Sequence, residues 1–296
     1  MSLATPYVGR FAPTPSGYLH FGSLMAALAS YLDARAAGGR WLLRMEDLDP
    51  PREMPGAQAA IVQALEAYGF EWDGPMERQS SRLDVYAAVI EQLRAQGHAY
   101  ACTCSRKQLE PFAGLYPGFC RGAGRDAADA AIRLLVPERT YRFIDRVQGE
   151  FGQHLSTDVG DFVIRRRDGL VAYQLAVVLD DAWQGVTDIV RGADLLDSTP
   201  RQLYLQELLG LPRPRYLHVP LIIQPDGHKL GKRYRSPPLQ ANEATPMLLR
   251  ALRALGQPTP EPLADALPHE ILEWAIRHWN ADRIPRVRTL AEAQLI

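Results

Sequence analysis

Apolar positions in the first hundred residues come in short bursts whose period changes. "YVGRFA" (7–12) is a brief apolar run that predicts a buried strand. From Ser23 onward Leu24, Leu28 and Leu32, with Ala27 and Tyr31 beside them, fall at helical spacing until Gly38-Gly39 stops the pattern. "WLLRMEDL" (41–48) predicts a second strand with acids at its carboxyl end. Strand, glycine-containing turn, helix and strand in such quick succession make a βαβ unit. Two more helices are predicted, one from near Pro55, placed as in a first helical turn, to Gly69, the other from Arg82 to Gln96.

Residues 98–170 break this rhythm with three cysteines, a Gly-rich loop at 114–124 and strand-like pieces, "TYRFIDRV" and "DFVIRRRDG". They read as an insertion. Alternation resumes with "AYQLAVVLDDAW" (172–183), read as a strand, then a helix from Thr199 to Leu209 and the strand-like "HVPLIIQ" (218–224). A basic loop at 226–235 follows, and the remainder reads as helical in "PMLLRALRAL" and "EILEWAIRHW". The pattern therefore predicts an α/β fold with a parallel sheet. One half of the core spans 1–97, an insertion 98–170, the second half 171–240, and a helical region 241–296.

Composition narrows the function classes. A formal net charge of −1 excludes bulk attraction to nucleic acid, so any RNA contact needs a local basic face. No apolar run is long enough to span a membrane and no export signal is visible, so a cytoplasmic monomer is expected. Cys102, Cys104 and Cys120 are too few and too close for a disulfide framework, but three thiolates suit a metal that takes one further donor. Of 33 basic residues only Lys107, Lys229 and Lys232 are lysine, and two of them share one short loop. Lysine is a compact mobile charge suited to phosphate, so this pair points to a polyphosphate ligand. The turn at 12–23 feeds a helix N-terminus, where backbone amides and His20 can meet an anion.

"RFAPTPSGYLHFGSL", "RMEDLDPPR" and, far downstream, "KLGKR" together resemble the paired signature motifs of class I aminoacyl-tRNA synthetases, specifically the glutamyl branch, over residues 7–240. The resemblance implies a Rossmann catalytic core that joins L-glutamate to ATP, with Mg²⁺, as glutamyl-adenylate. It assigns the ATP site to Gly17, His20, Gly22, Lys229 and Lys232, with His20 and Lys232 as the catalytic pair. Glutamate falls to Arg10, Phe11, Ala12, Pro13, Thr14, Glu46, Tyr173 and Arg191. The same resemblance supplies Tyr116 as the fourth donor, beside Cys102, Cys104 and Cys120, for one structural Zn²⁺. Two positions depart from the family motifs: Gly231 replaces the usual serine of the lysine loop, and Ser23 replaces the second histidine after His20.

Full-length glutamyl enzymes continue past the lysine loop with stem-contact and anticodon-binding domains, for which the residues left here are too few. The short members of the branch transfer glutamate to queuosine at the wobble position of tRNA(Asp). That is the expected acceptor, with Arg165–Arg167 expected to meet RNA phosphates. The alternatives are a truncated enzyme that charges the tRNA 3′ end and a non-catalytic RNA- or glutamate-binding paralogue.

Overall fold

The computed structural model describes residues 6–112, 114–224 and 237–292. β1 (Val8–Phe11), α1 (Phe21–Ala36) and β2 (Arg40–Met45) form the predicted βαβ unit, with β1 and β2 parallel and Arg10 opposite Leu42. Helix α1 begins two residues before Ser23 because His20 is its N-cap, and it stops at Gly38, whose φ of 65° L side chains rarely adopt. A Cβ on Gly39 would collide with the Tyr7 carbonyl, so this glycine lets the chain turn tightly into β2. α2 (Ala57–Ala67) starts after a left-handed Gly56, leaving Pro55 ahead of the cap and not in the first turn. A short β3 (Glu77–Arg78) extends the parallel ribbon beside β2, and α3 (Leu83–Ala95) follows.

The inserted segment holds β4 (Ala99–Cys102), a one-turn α4 (Arg106–Leu109), β5 (Ala131–Leu134), β6 (Thr140–Asp145), β7 (Gly149–His154) and β8 (Phe162–Arg165). β4, β5 and β8 form one antiparallel sheet, and β6 and β7 form a hairpin. Apolar packing runs across both ends of the insertion: Ile132, Leu134 and Ile164 share a core cluster with Leu42, Ile90, Val178 and Leu203. At the tip of the hairpin Val147 belongs to the core that holds Trp41, Leu217 and Val219.

"AYQLAVVLDDAW" is not a strand but helix α5 (Tyr173–Trp183). Leu175 through Asp181 are all buried, so this helix is enclosed on every side and shows no amphipathic stripe that could distinguish it from a buried strand. It leads into β9 (Asp188–Gly192), a strand the apolar pattern did not single out, and α6 (Thr199–Leu208), which has Pro200 in its first turn. The "HVPLIIQ" segment divides at Pro220, which has no amide to donate, into β10 (Arg215–Val219) and β11 (Leu221–Ile223). α7 (Ala244–Ala254) and α8 (Pro268–His278) set Leu248, Leu252, Ile271 and Leu272 in one core with Leu28 and Leu32 of α1. β12 (Thr289–Ala291) closes the chain by pairing parallel with β11.

β9 and β10 are parallel, and their ribbon meets the first at β1. There Thr187 N–H donates to the Val8 carbonyl (2.9 Å), and Val8 N–H donates to the Thr187 hydroxyl (2.9 Å). β1 thus lies between β2 and β9, with later strands extending on either side. Ligands in such sheets bind beyond the carboxyl ends of the strands where the order reverses. Here those ends carry Arg10 and Phe11 on β1, and Arg191 and Gly192 on β9.

Candidate functional site

A cavity of about 500 Å³ opens at that reversal point. It brings together Arg10, Phe11, Ala12, Thr14, Glu46, Tyr173 and Arg191, seven of the eight residues expected to hold glutamate. Pro13 lies outside the lining, and its carbonyl accepts the Glu46 N–H (3.0 Å), which fixes the strand-end acid against the β1 turn. The cavity lining does not include Gly17 and His20, which lie on the turn into α1, or Gly22, the second residue of that helix. Through Nδ1, His20 accepts the Ser23 N–H (3.4 Å), so a neutral ring carries its proton on Nε2 at the positive end of the helix. Leu239 N–H donates to the Leu19 carbonyl (2.9 Å), which brings the chain downstream of the basic loop back beside this turn. Lys229, Gly231 and Lys232 lie outside the described residues.

One wall of the cavity is an ion-pair lattice. Asp181 of α5 accepts Arg10 Nε (3.0 Å) and Arg44 Nη2 (2.8 Å), while Asp180 accepts Arg82 Nε (2.8 Å). Burial works against the Asp181 charge, yet the two guanidiniums hold its carboxyl below the usual range. Glu46 sits 3.5 Å from Arg44 Nη2, near enough to feel its charge, but buried Oε1 accepts no hydrogen bond. Burial outweighs the pull of Arg44 and Arg10 and pushes Glu46 up to about 7. An ammonium group at Oε1 would supply the missing donor and keep the carboxylate ionised.

The opposite wall is built around Arg191, which is buried but held by neutral groups alone. Its Nε donates to His218 Nε2 (3.0 Å), and its Nη2 donates to the Thr199 hydroxyl (2.9 Å) and the Gln202 carbonyl (2.8 Å). Nη1 lies 3.5 Å from the Tyr173 hydroxyl. Among the described residues no carboxylate ion-pairs with Arg191. A buried cation without a counter-charge is costly, and the cavity it faces is where an anion can remove that cost. Sequence reasoning missed Arg44, Asp145, Asp181, Thr199, Gln202 and His218 as supports of this site. Only the strand-end position of the acids and the two arginines gave a signal for it.

A second cavity of about 1030 Å³ shares Asp49, Arg52 and Arg166 with the first and adds Arg106, Arg133 and Arg167. The three consecutive arginines have partners here: Arg165 bonds the Ala127 carbonyl, Arg166 pairs with Asp49 and Asp168, and Arg167 pairs with Asp129.

At the rim of that groove Cys102, Cys104 and Cys120 bring their sulfurs within 4.8 Å of one another. Tyr116 Oη lies 3.3 Å from Cys102 Sγ and 3.7 Å from Cys104 Sγ, and Cys104 and Cys120 are 3.6 Å apart. A tetrahedron with zinc–sulfur bonds of about 2.3 Å has sulfur–sulfur edges of about 3.8 Å, so the four donors fit such an ion. Burial raises the Cys120 thiol, but hydrogen bonds led by that from Tyr116 outweigh it and bring the thiol down to about 6. Arg133 lies over the Tyr116 ring at 3.9 Å, while burial and the hydrogen bonds with the three thiols push the Tyr116 phenol well above its usual value.

The family described as tRNA synthetases class I (E and Q), catalytic domain, matches residues 7–113 and 121–256. A protein of Ectopseudomonas mendocina named glutamyl-Q tRNA(Asp) synthetase is 78% identical over 291 residues, 98% of this chain and 99% of its own length. Its namesake in Pseudomonas aeruginosa is 74% identical over 293 residues, 99% of this chain and 100% of its own length. Among solved structures, a glutamate tRNA ligase from Elizabethkingia meningosepticum in complex with its amino acid superposes with a TM-score of 0.81 at 24% identity. That match covers 98% of this chain and 68% of the other and shows a common fold.

Proposed function

The chain belongs to the class I tRNA synthetases of the glutamate and glutamine type, and from that premise we propose that it activates L-glutamate with ATP and transfers it to queuosine of tRNA(Asp). The observation that carries the first half is the charge pattern of the cavity. Behind one wall Arg10, Arg44 and Arg82 are matched by Glu46, Asp180 and Asp181, and of the four arginines lining the cavity only Arg191 has no carboxylate partner among the described residues. Glutamate has one net negative charge and glutamine has none. Glutamate therefore supplies, through its side-chain carboxylate, the anion that Arg191 lacks, and through its ammonium the donor that Glu46 Oε1 lacks.

One glutamate carboxylate oxygen then attacks the ATP α-phosphorus in line, a P–O bond forms, and pyrophosphate leaves. His20 Nε2–H donates to phosphate oxygens as charge builds, and Lys229 and Lys232 attract the departing pyrophosphate, the charge of which is shared with Mg²⁺. In the second step a hydroxyl of queuosine's cyclopentenediol attacks the acyl carbon. Its proton passes to solvent, AMP departs, and an ester remains. The groove lined by Arg52, Arg106, Arg133, Arg166 and Arg167 leads into the glutamate cavity and offers the local basic face that an RNA loop requires. Exchange of the carboxylate partners of Arg52, Arg166 and Arg167 for phosphates fits these three to that role. Cys102, Cys104, Tyr116 and Cys120 would hold one zinc ion, which would clasp the loop as a structural metal.

The acceptor is tested with labelled glutamate and queuosine-containing tRNA(Asp) from which the 3′ CCA end has been removed. Labelling persists on the proposed reading. Its disappearance with the CCA end moves the reaction to the terminal ribose.

A further inference from the structure

Among the described residues that line the pocket, Arg191 is the one cation held by neutral partners, and a guanidinium held that way owes its direction to hydrogen bonds. The donor Nε points away from the cavity, to His218 Nε2 at 3.0 Å. His218 is wholly buried on β10, stacked on Tyr216 with ring planes 9° apart and packed beside Phe143. Its Nδ1 is 2.6 Å from Asp145 Oδ2. Asp145 is buried at the end of β6, and its Oδ1 accepts the backbone amides of Val147 (3.0 Å), Gln148 (2.9 Å) and His218 (3.1 Å).

Each partner leaves the next a single role. Three amides saturate Asp145 Oδ1 and leave Oδ2 to the imidazole. Nδ1 therefore carries the proton, and Nε2 presents a lone pair to Arg191. Burial, with the Arg191 charge beside it, outweighs Asp145 and brings His218 down to about 4, so the ring is neutral at neutral pH and remains an acceptor. We propose that Asp145 and His218 are positioning residues, which orient the Arg191 guanidinium for the substrate carboxylate and make the hairpin of the insertion a working part of the glutamate pocket. The proposal deepens the glutamate reading above and rests on it.

The test measures glutamate-dependent ATP–pyrophosphate exchange in wild type, His218→Asn and His218→Gln. An asparagine amide reaches Asp145 but stops short of Arg191, whereas a glutamine carbonyl takes the place of Nε2. The expected result is a rise in the glutamate KM of about 10- to 100-fold for His218→Asn, the range for a lost hydrogen bond to a buried charge. The KM for ATP and kcat stay within about twofold, and His218→Gln recovers most of the loss. Equal impairment of both variants, an unchanged glutamate KM, or a fall in kcat alone overturns the positioning role. A wild-type protein without glutamate-dependent exchange overturns the functional reading instead, and the positioning with it. A second measurement does not depend on the variants folding. In wild-type protein carrying ¹⁵N-histidine, the His218 ring is expected with Nδ1 protonated and Nε2 bare, and the Nε2 signal shifts on addition of L-glutamate. A proton on Nε2, or an Nε2 signal indifferent to glutamate, overturns the proposal.

Discussion

The two walls of the cavity each hold buried arginine and solve the problem of its charge in opposite ways. Arg10 and Arg44 share Asp181 and neighbour Glu46, so their charges are largely cancelled within the protein. Arg191 is given hydrogen bonds but, among the described residues, no counter-ion, and its charge is left for whatever enters. The first arrangement maintains itself without substrate and sets the shape of the wall. The second is complete only with an anion in place. A binding site needs both, because a pocket built wholly in the first manner has no preference for a charged ligand, and one built wholly in the second is too costly to fold.

The contrast breaks most sharply if the two kinds of arginine support are removed in turn. Asp181→Asn strips the shared counter-charge from two buried guanidiniums, and a loss of about 3–5 kcal/mol in unfolding free energy is expected by denaturant titration. Arg191→Gln is expected to change stability by less than about 1.5 kcal/mol yet to lower kcat/KM for glutamate by about 10²- to 10³-fold in pyrophosphate exchange. Equal stability losses in both variants would erase the distinction between the walls.

Glu46 offers a milder test, through pH. It faces Arg10 on β1, Arg44 on β2 and Asp180 and Asp181 on α5, and burial sets it at about 7. An ammonium ligand prefers the ionised carboxylate, so glutamate affinity rises as pH climbs through 7. Between pH 6 and 8 the ionised fraction grows about tenfold, and the KM for glutamate is expected to fall to match. The sign for stability is the reverse. Without ligand, an acid raised in the fold favours folding below its unfolded value near 4.5 and loses that contribution as pH passes 7. A Glu46→Gln variant with the same pH slope would assign the titration elsewhere.

The cysteine cluster shares no group with either wall and sharpens the comparison as a control. Native mass spectrometry is expected to find one zinc per chain, absent from a Cys104→Ser/Cys120→Ser variant. The glutamate KM of that variant is expected to stay within about twofold of wild type, because the residues that read glutamate keep their partners.

Much of the pocket was legible because short motifs mark it. The βαβ rhythm and the acids at the end of "WLLRMEDL" located β1, β2 and Glu46, and the signature stretches pointed to Arg191 and Tyr173. Tyr173 was assigned to the pocket yet placed on a strand, because α5 is buried on every face and its apolar run has no period to read. Asp145 and His218 left no trace. Asp145 is one of several polar residues in "TYRFIDRV", His218 opens the apolar "HVPLIIQ", and what joins them is a fold that crosses two sheets. Asp181 was hidden in the same way, as one of two acids ending an apolar run whose charges are matched 171 and 137 residues earlier, at Arg10 and Arg44.

The bond between Asp145 and His218 spans 73 residues of chain. On a ribosome adding about 5–20 residues per second, that interval lasts about 4 to 15 s. The hairpin leaves the tunnel well before the strand that will receive it, and for those seconds Asp145 has no imidazole to meet. The lattice wall is made from earlier pieces and from α5, so it can close first. The pocket's shape can therefore be set before its charge is aimed, and the full ability to hold glutamate waits for β10 to arrive.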